Sequence, residues 1–352
     1  MQVTDISGIL KPVAKEKRRD KIAEAAAKIA IPRPDLYLPV DVHKRLAGIL
    51  PTSGRAMQSA AKTPILLAFD VEVLPVHTHE VRALGGPLVK QACIFKVGDD
   101  VRQDVLALQI ITILRNSFKS AGLPLYLFPY GVLPTGYERG IIEVVPNAKS
   151  RAGLGEMTDV GLYEIFQSRY GAPGTPTFEA ARRTFVLSEA GYAIASYLLQ
   201  SKDRHNGNIL IDDDGRLVHI DFGFIFEISP GGNIGFEDAA FKFSHEMAQL
   251  IDPGGHRASA QYVEFKELCV KGFLAARTVA QDIMAVAALM AQSGLPCYGR
   301  GKPLENLRSR FMLEMTTPEA AAFMRDAVDV AHTRWRTSFY DYIQILQNDI
   351  PF

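Results

Sequence analysis

Cysteine is scarce in this sequence. The three present, Cys93, Cys269 and Cys297, are scattered, and no Cys-x-x-Cys pair occurs. An odd, dispersed set supports neither a disulfide framework nor a zinc site and points to a reducing compartment. An excess of one charge is also lacking. Lys+Arg and Asp+Glu both number 39. No global field therefore draws the chain to nucleic acid, and any attraction to anionic lipid has to be local. No apolar core follows a basic N-terminal start, so no secretory signal is expected. The longest apolar stretches, such as 185–199, carry Glu189 and fall short of a bilayer span. Work on a lipid would have to be done from the membrane surface. There is no internal repeat, no low-complexity tract, no Walker A loop and no Gly-x-Gly-x-x-Gly run.

What is present is ample apolar content. Of the 352 residues, 47% are hydrophobic and 22% charged, enough for a large core and about two domains or lobes. The most informative stretch is 202–223. Two polar clusters, Asp203-Arg204-His205-Asn206-Gly207-Asn208 and Asp221-Phe222-Gly223, bracket the apolar runs Ile209–Ile211 and Leu217–Ile220. Asp212-Asp213-Asp214-Gly215 between them is turn chemistry, so the pattern predicts a β-hairpin. A hairpin returns the chain to its starting end and brings Asn208 and Asp221 together at its mouth. An amide oxygen and a carboxylate beside Asp203 and His205 form a hard oxygen site suited to Mg²⁺.

The remaining chain reads as follows. Residues 11–30 predict a helix with a basic front half (Lys11, Lys15, Lys17, Arg18, Arg19, Lys21), ended by Pro32 and Pro34. Residues 1–50 are expected to be a helical segment and linker. Leu50–Gly54 reads as loop and Pro64–Phe69 as a strand. The loop between them holds Met57, Ser59 and Lys62, a hydroxyl and an ammonium able to meet phosphate. Gln91–Lys96 reads as a strand, and Gly98-Asp99-Asp100 turns into a helix with Val101, Val105, Leu108 and Ile111 on one face. Lys96 at that strand end is a cation near Asp99, Asp100 and Asp104. Leu125–Tyr130 and Gly140–Val145 are predicted strands. Residues 155–200 read as two helices with Pro173 and Pro176 in the loop between them, and 237–352 as mostly amphipathic helix. The stretch 224–236, rich in Pro and Gly, has the character of an activation loop.

Asp-Arg-His-x-x-Asn followed by Asp-Phe-Gly resembles the catalytic loop and metal motif of the phosphoinositide 3-/4-kinase superfamily. FKVGDDVRQD (95–104) and GIIEVV (140–145) match that family's motifs as well. SPGGNIG, SHEMAQLID, LCVKGFLAAR, SGLPC and the ending YDYIQILQNDIPF are similar to the type III alpha phosphatidylinositol 4-kinases. The likeness spans roughly 35–352 and implies the C-terminal catalytic portion of a longer protein. It implies an α+β, two-lobed protein-kinase-like fold, with a small β-rich N-lobe (51–145) and a larger α-rich C-lobe (146–352). Within the C-lobe, 221–246 would be the activation loop, and an amphipathic helix would end the chain.

By the same resemblance the cofactors are ATP and Mg²⁺, and the reaction is phosphorylation of phosphatidylinositol at its 4-hydroxyl. Asn208 and Asp221 would hold the metal. Lys96 and Lys62 would meet the ATP phosphates with Ser59, and Asp99 or Asp104 would orient Lys96. Met57, Tyr130, and the backbone of Glu143 and Val145 would line the adenine pocket. Asp203 and His205 would share proton acceptance and phosphoryl stabilisation. Residues 221–246 hold five carboxylates and one cation other than histidine, Lys242. Lys242 is the expected head-group contact, and the low positive charge favours an inositol lipid without extra phosphates. A protein Ser/Thr kinase of the related phosphoinositide-kinase-like group, or a scaffold that kept the fold, are the competing readings. Scaffold or adaptor partners and a peripheral position on a membrane from the cytoplasmic side, the plasma membrane by resemblance, are further expectations. Residues 335–346 (WRTSFYDYIQIL) form an aromatic-rich amphipathic stretch able to enter a lipid interface. Deleting 335–352 is expected to abolish phosphorylation of lipid in vesicles; full vesicle activity in the deletion would refute this.

Overall fold

The computed structural model describes residues 3–10, 12–57, 63–73, 87–155, 161–226, 228 and 240–333. Ser59, Lys62, most of the 224–236 stretch and the aromatic segment 335–346 lie outside the described residues. Contacts divide the chain into two units, Met1–Val105 with Tyr130–Pro146, and Leu106–Pro129 with Asn147–Phe352.

In the first unit α1 (Asp5–Leu10) and α2 (Arg18–Ala27) precede β1 (Tyr37–Leu38), β2 (Asp41–Ala56), β3 (Ile65–Val73) and β4 (Leu88–Val97). Then α3 (Arg102–Ser120) begins, and β5 (Val132–Gly136) and β6 (Arg139–Glu143) follow. The six strands make one sheet in the order β1-β2-β3-β4-β6-β5, antiparallel throughout. Strand alternation puts Ile65, Leu67, Phe69 and Val71 of β3 on the buried face. Ile22, Ala25 and Ala26 of α2, spaced three and four apart, join them with Ile6 and Leu10 of α1 and Cys93 and Phe95 of β4.

Three expectations change here. The helix over 11–30 is shorter: a 3-10 turn at Lys15–Lys17 leads into α2, which stops at Ala27. Only Ile22, Ala25 and Ala26 reach the core, and a short helix persists only where packing holds it. The sheet begins at Tyr37, not 51. Leu50–Gly54, read as loop, is a bulge within β2, where pairing steps from Leu50–Ala68 to Arg55–Leu66. Ser53 Oγ donates to the Leu50 carbonyl (2.6 Å) and accepts the Ala68 N–H (2.9 Å), so a side chain replaces the missing ladder bond. Residues before 51 therefore belong to the core of this unit.

The second unit holds the rest of α3, then β7 (Ala148–Ser150), α4 (Arg151–Gly155), α5 (Leu162–Tyr170), α6 (Pro176–Leu199), β8 (Ile209–Asp212) and β9 (Leu217–His219). Helices α7 (His245–Ile251), α8 (Ala260–Thr278), α9 (Ala280–Leu289), α10 (Pro303–Arg310) and α11 (Thr317–Thr333) follow. Strands β7, β8 and β9 form a small antiparallel sheet in that order. Helix α6 is the axis of the unit and is buried almost all round from Phe185 to Leu199. Pro176, expected in a loop, is in its first turn, where the missing N–H costs nothing, and Thr175 caps it by accepting the Phe178 N–H. Leu125–Tyr130, expected as a strand, has no ladder. Its neighbour is a helix, so Tyr126 N–H goes to the Leu187 carbonyl (3.2 Å) and Phe128 N–H to Tyr192 Oη (3.2 Å).

No single described helix is long and apolar enough to cross a membrane. The bent pair α8 and α9 passes by length and composition only, with a 64° break. Most large apolar residues of α8, among them Phe265, Leu268 and Phe273, are buried in this unit, while Val263 is exposed.

Gly191 lets α6 approach the 125–128 stretch: a Cβ there would lie 2.5 Å from the Tyr126 carbonyl oxygen. Gly191→Ala is expected to lower stability by about 1–3 kcal/mol through overpacking, measured as a fall in the urea midpoint.

Candidate active site

Helix α6 ends on Gln200, whose left-handed backbone (φ 46°) turns the chain into 201–208. A 3-10 turn over Asn206–Asn208 then leads directly into β8. The hairpin closes through Asp212, whose Oδ1 accepts the N–H groups of Asp214 (2.9 Å) and Arg216 (2.8 Å), while Gly215 takes φ 83°. At the open end Ile220 N–H donates to the Asn208 carbonyl at 3.0 Å. Asn208 and the start of Asp221-Phe222-Gly223 therefore stand side by side at the hairpin mouth.

Arg204 joins these two segments. It is 1% exposed, and its guanidinium donates to the carbonyls of Lys202 (2.9 Å), Ile220 (2.6 Å) and Asp221. It also lies over the Phe222 ring, 5.3 Å from the centroid. One planar cation thus binds both ends of the loop-hairpin unit. Two backbone bonds support it, Lys202 N–H to the Phe224 carbonyl (2.9 Å) and Phe226 N–H to the Leu199 carbonyl (2.8 Å). Asp203 and Asp221 have left-handed backbones, φ 62° and 61°. That conformation costs roughly 1–2 kcal/mol for a side chain other than glycine, so the surroundings must impose it.

The hydrogen bonds also orient two polar heads. Asn208 Nδ2 donates to the Asp203 carbonyl (3.0 Å), leaving Oδ1 as the accepting end. His205 Nδ1 accepts the Gly207 N–H (3.0 Å), which assigns the proton of the neutral ring to Nε2. Asn208 is buried and Asp221 exposed. An amide oxygen beside one carboxylate is the partial set that Mg²⁺ accepts when phosphates and waters supply the rest. Among the described residues no group of three or more His, Cys, Asp or Glu could form an all-protein metal cage.

The first unit carries the other candidates. Met57 N–H bonds the Pro64 carbonyl (2.8 Å), either side of the sequence that holds Ser59 and Lys62. Lys96, half-buried, is opposite Gly140 in the β4–β6 ladder. Gly98, at φ 92°, donates to the Glu138 carbonyl (2.5 Å) and turns the chain toward α3. Asp99 is half-buried in that turn, and Asp104 is buried in the first turn of α3. Tyr130 and Val145 are buried at 4% and 6% exposure.

Glu143 N–H already bonds the Gly131 carbonyl (2.7 Å), so its backbone can offer adenine a carbonyl but not this donor. The Glu143 carboxylate accepts Gly131 N–H (2.8 Å) and the Lys44 ammonium (3.1 Å). Burial lowers the Lys44 pKa, but the carboxylates of Glu143 and Asp41 outweigh it and hold the group above its usual range. Lys44 and Gln91, which also share a hydrogen bond of 2.8 Å, brace the 143–145 segment. Sequence reading missed both, as it missed Arg204, because nothing in local pattern marks a buried polar brace.

Lys242 departs from expectation. A cation that meets a lipid head group must be exposed, yet Lys242 is 3% exposed. It lies among buried Phe241, Phe243 and Ser244, close enough to act electrostatically on Glu189 and His219. The three cysteines are all buried, and burial pushes the Cys93 and Cys297 thiols up to about 12, which excludes thiolate chemistry at neutral pH for these two.

The family description "Phosphatidylinositol 3- and 4-kinase" matches residues 90–300, a span that includes every candidate except Met57, Ser59 and Lys62. Phosphatidylinositol 4-kinase alpha 1 of Arabidopsis thaliana is 56% identical over 349 residues, 99% of this chain and 17% of that protein. Phosphatidylinositol 4-kinase alpha 2 of the same plant is 53% identical, covering 99% of this chain and 64% of its own length. Phosphatidylinositol 4-kinase STT4 of Saccharomyces cerevisiae is 44% identical over 359 residues, all of this chain and 18% of that protein. The chain thus spans less than two thirds of each of these relatives. The β-rich first unit and helix-rich second unit match the two-lobed, kinase-like α+β fold, and the chain belongs to the phosphatidylinositol 3- and 4-kinase family.

Proposed function

We propose that this chain is the catalytic unit of a lipid kinase that transfers the γ-phosphoryl of ATP to the 4-hydroxyl of phosphatidylinositol. The observation that carries the reading is the hairpin mouth, where Arg204 clamps the Asn208 and Asp221 segments together. Phosphoryl transfer asks mainly for positioning and charge neutralisation. Asn208 Oδ1 and the Asp221 carboxylate would hold Mg²⁺, which when bound supplies positive charge to the ATP phosphates. Lys96, with Lys62 and Ser59, would add donors to those phosphates, with Asp99 or Asp104 orienting Lys96. Met57, Tyr130, the Glu143 carbonyl and Val145 would enclose the adenine.

The tautomer supports one division of labour between Asp203 and His205. With Nδ1 engaged by Gly207, the neutral imidazole presents Nε2–H. That is a donor suited to the transferring phosphoryl oxygens, not an acceptor for the hydroxyl proton. The acceptor role falls to the Asp203 carboxylate. The burial of Lys242 supports a head group without additional phosphates, since the single lysine of 221–246 is directed into the protein. Access to the lipid would come from docking at a membrane surface on the cytoplasmic side, aided by scaffold or adaptor proteins, with the plasma membrane as the expected site.

The test is incubation with labelled ATP, Mg²⁺ and phosphatidylinositol vesicles, with the ring position of the product identified. Label at the 4-position is expected; labelled protein without labelled lipid would overturn the reading. Asp221→Asn is expected to abolish turnover in this assay. Arg204→Lys cannot reach all three carbonyls, and misplacement of the loop is expected to lower kcat about 10²-fold. The same change should cost about 2–3 kcal/mol of stability, because a buried carbonyl loses its charged donor; a wild-type kcat in a folded variant would contradict the clamp.

A further inference from the structure

The stretch 221–246 has two ends. Arg204 fixes the first, at the Asp221 carbonyl. Glu246, in the first turn of α7, marks the second. The sequence counts it as one of five carboxylates in this stretch, but folding engages it inside the second unit. Its oxygens accept Arg151 Nε–H at 3.1 and 3.2 Å and Arg151 Nη2–H at 2.8 Å. Oε2 also accepts the N–H of Leu162 at 3.2 Å. Leu162 is the first residue of α5, and its N–H is one of the donors a helix leaves without an internal partner. Arg151 is 3% exposed, and a cation that buried needs hydrogen-bonded partners that meet its planar fork. Arg151 opens α4, directly after β7. Strand β7 pairs with β8, Ser150 with Leu210 and Ala148 with Asp212, so it is the third strand of the sheet that holds the catalytic hairpin. Helix α4 also packs on the 3-10 turn Asn206–Asn208. One carboxylate therefore joins α4, α5 and α7, and α4 rests on the turn that carries Asn208. Phe243, three residues before Glu246, stacks on Phe265 of α8 with ring centroids 4.9 Å apart. The end of the stretch is thus held from two directions.

We propose that Arg151 and Glu246 are positioning residues whose ion pair fastens the exit of the 221–246 stretch to the sheet whose hairpin presents Asn208 and Asp221. With Arg204 at the entrance, both ends of the stretch are referred to one small sheet. Holding the ends of a loop removes conformational freedom that would otherwise be lost when the loop closes on a ligand. The two side chains are 4% and 22% exposed, so salt screens this pair less than a surface bridge. That the stretch receives a phosphatidylinositol head group rests on the kinase reading; the tether itself does not.

The experiment is a double-mutant cycle on the full chain with Arg151→Met, Glu246→Gln and both together. Removing one partner strands a buried charge and destabilises the fold whatever the pair does, so the informative variant is the double one. There the thioether fills the place of the guanidinium and the amide oxygen still accepts the Leu162 N–H, but α4 and α7 lose their link. Each single change is expected to lower the thermal midpoint, and the double variant to recover part of that loss. In the double variant KM for phosphatidylinositol vesicles should rise about fivefold, while KM for ATP stays at its wild-type value. Arg151→Lys, which keeps the charge without the fork, should fall between wild type and the double variant. An equal rise in both KM values, or a wild-type lipid KM in the folded double variant, would overturn the proposal. Amide hydrogen exchange supplies an arm that needs no turnover. Residues 240–250 should exchange faster in the double variant while 206–221 keep their wild-type rates. Unchanged exchange over 240–250, or the same acceleration throughout the chain, would overturn the tether. A chain that phosphorylates no lipid sinks the kinase reading and leaves the tether to be decided by exchange.

Discussion

The site depends on one buried guanidinium. Arg204 is almost inaccessible to water, and its three hydrogen bonds all end on backbone carbonyls, one before it in the loop and two at the exit of the hairpin. A fully desolvated cation is costly unless its donors are satisfied, and planar guanidinium geometry allows several carbonyls to be met at once. The arrangement therefore has little freedom. It imposes left-handed backbones on Asp203 and Asp221, conformations that would relax elsewhere if the clamp were absent. The residues that would hold the metal need only follow the backbone they are attached to.

Around that clamp the second unit is built from one long helix and one short hairpin. Helix α6 is nearly all apolar toward its end, so it can be buried on every side and can serve as a fixed strut. It stops at a left-handed Gln200, and the loop 201–208 begins within a turn of that stop. Ser188, Tyr192 and Ser196, spaced four apart on this helix, each reach the hairpin strand. Ser188 accepts the Leu217 N–H, Tyr192 stacks on His219 and Ser196 bonds the same imidazole. Loop and hairpin are thus both referred to the same rigid element, the condition for holding reacting groups to within a fraction of an ångström.

Much of this was legible in the residue order. The hairpin followed from apolar runs around an Asp-rich, glycine-ended turn, and the motif pair followed from spacing that few structural hairpins share. Other features were hidden for identifiable reasons. Leu50–Gly54 carries proline, serine and glycine, the vocabulary of a loop, yet a serine hydroxyl can stand in for a ladder bond and keep the strand going. Leu125–Phe128 carries the vocabulary of a strand, but its neighbour is a helix, so it has no edge to pair with. Lys242 reads as a surface cation because lysine usually is one, and nothing in the local pattern marks its burial to 3% exposure.

The amino-acid order by itself determined which chemistry the chain can support. It holds an amide and an acid at the two ends of a predicted hairpin, an Asp-Arg-His loop and a strand-end lysine, with no cysteine or histidine cluster to suggest another metal. These are local facts, set by spacing along the chain. Tertiary structure alone decided how those groups are held and oriented. Which nitrogen of His205 carries the proton, why Arg204 is buried and where Lys242 points all depend on groups brought near by folding. Hydrogen-bond direction and burial are properties of neighbours in space, and no periodicity in sequence records them.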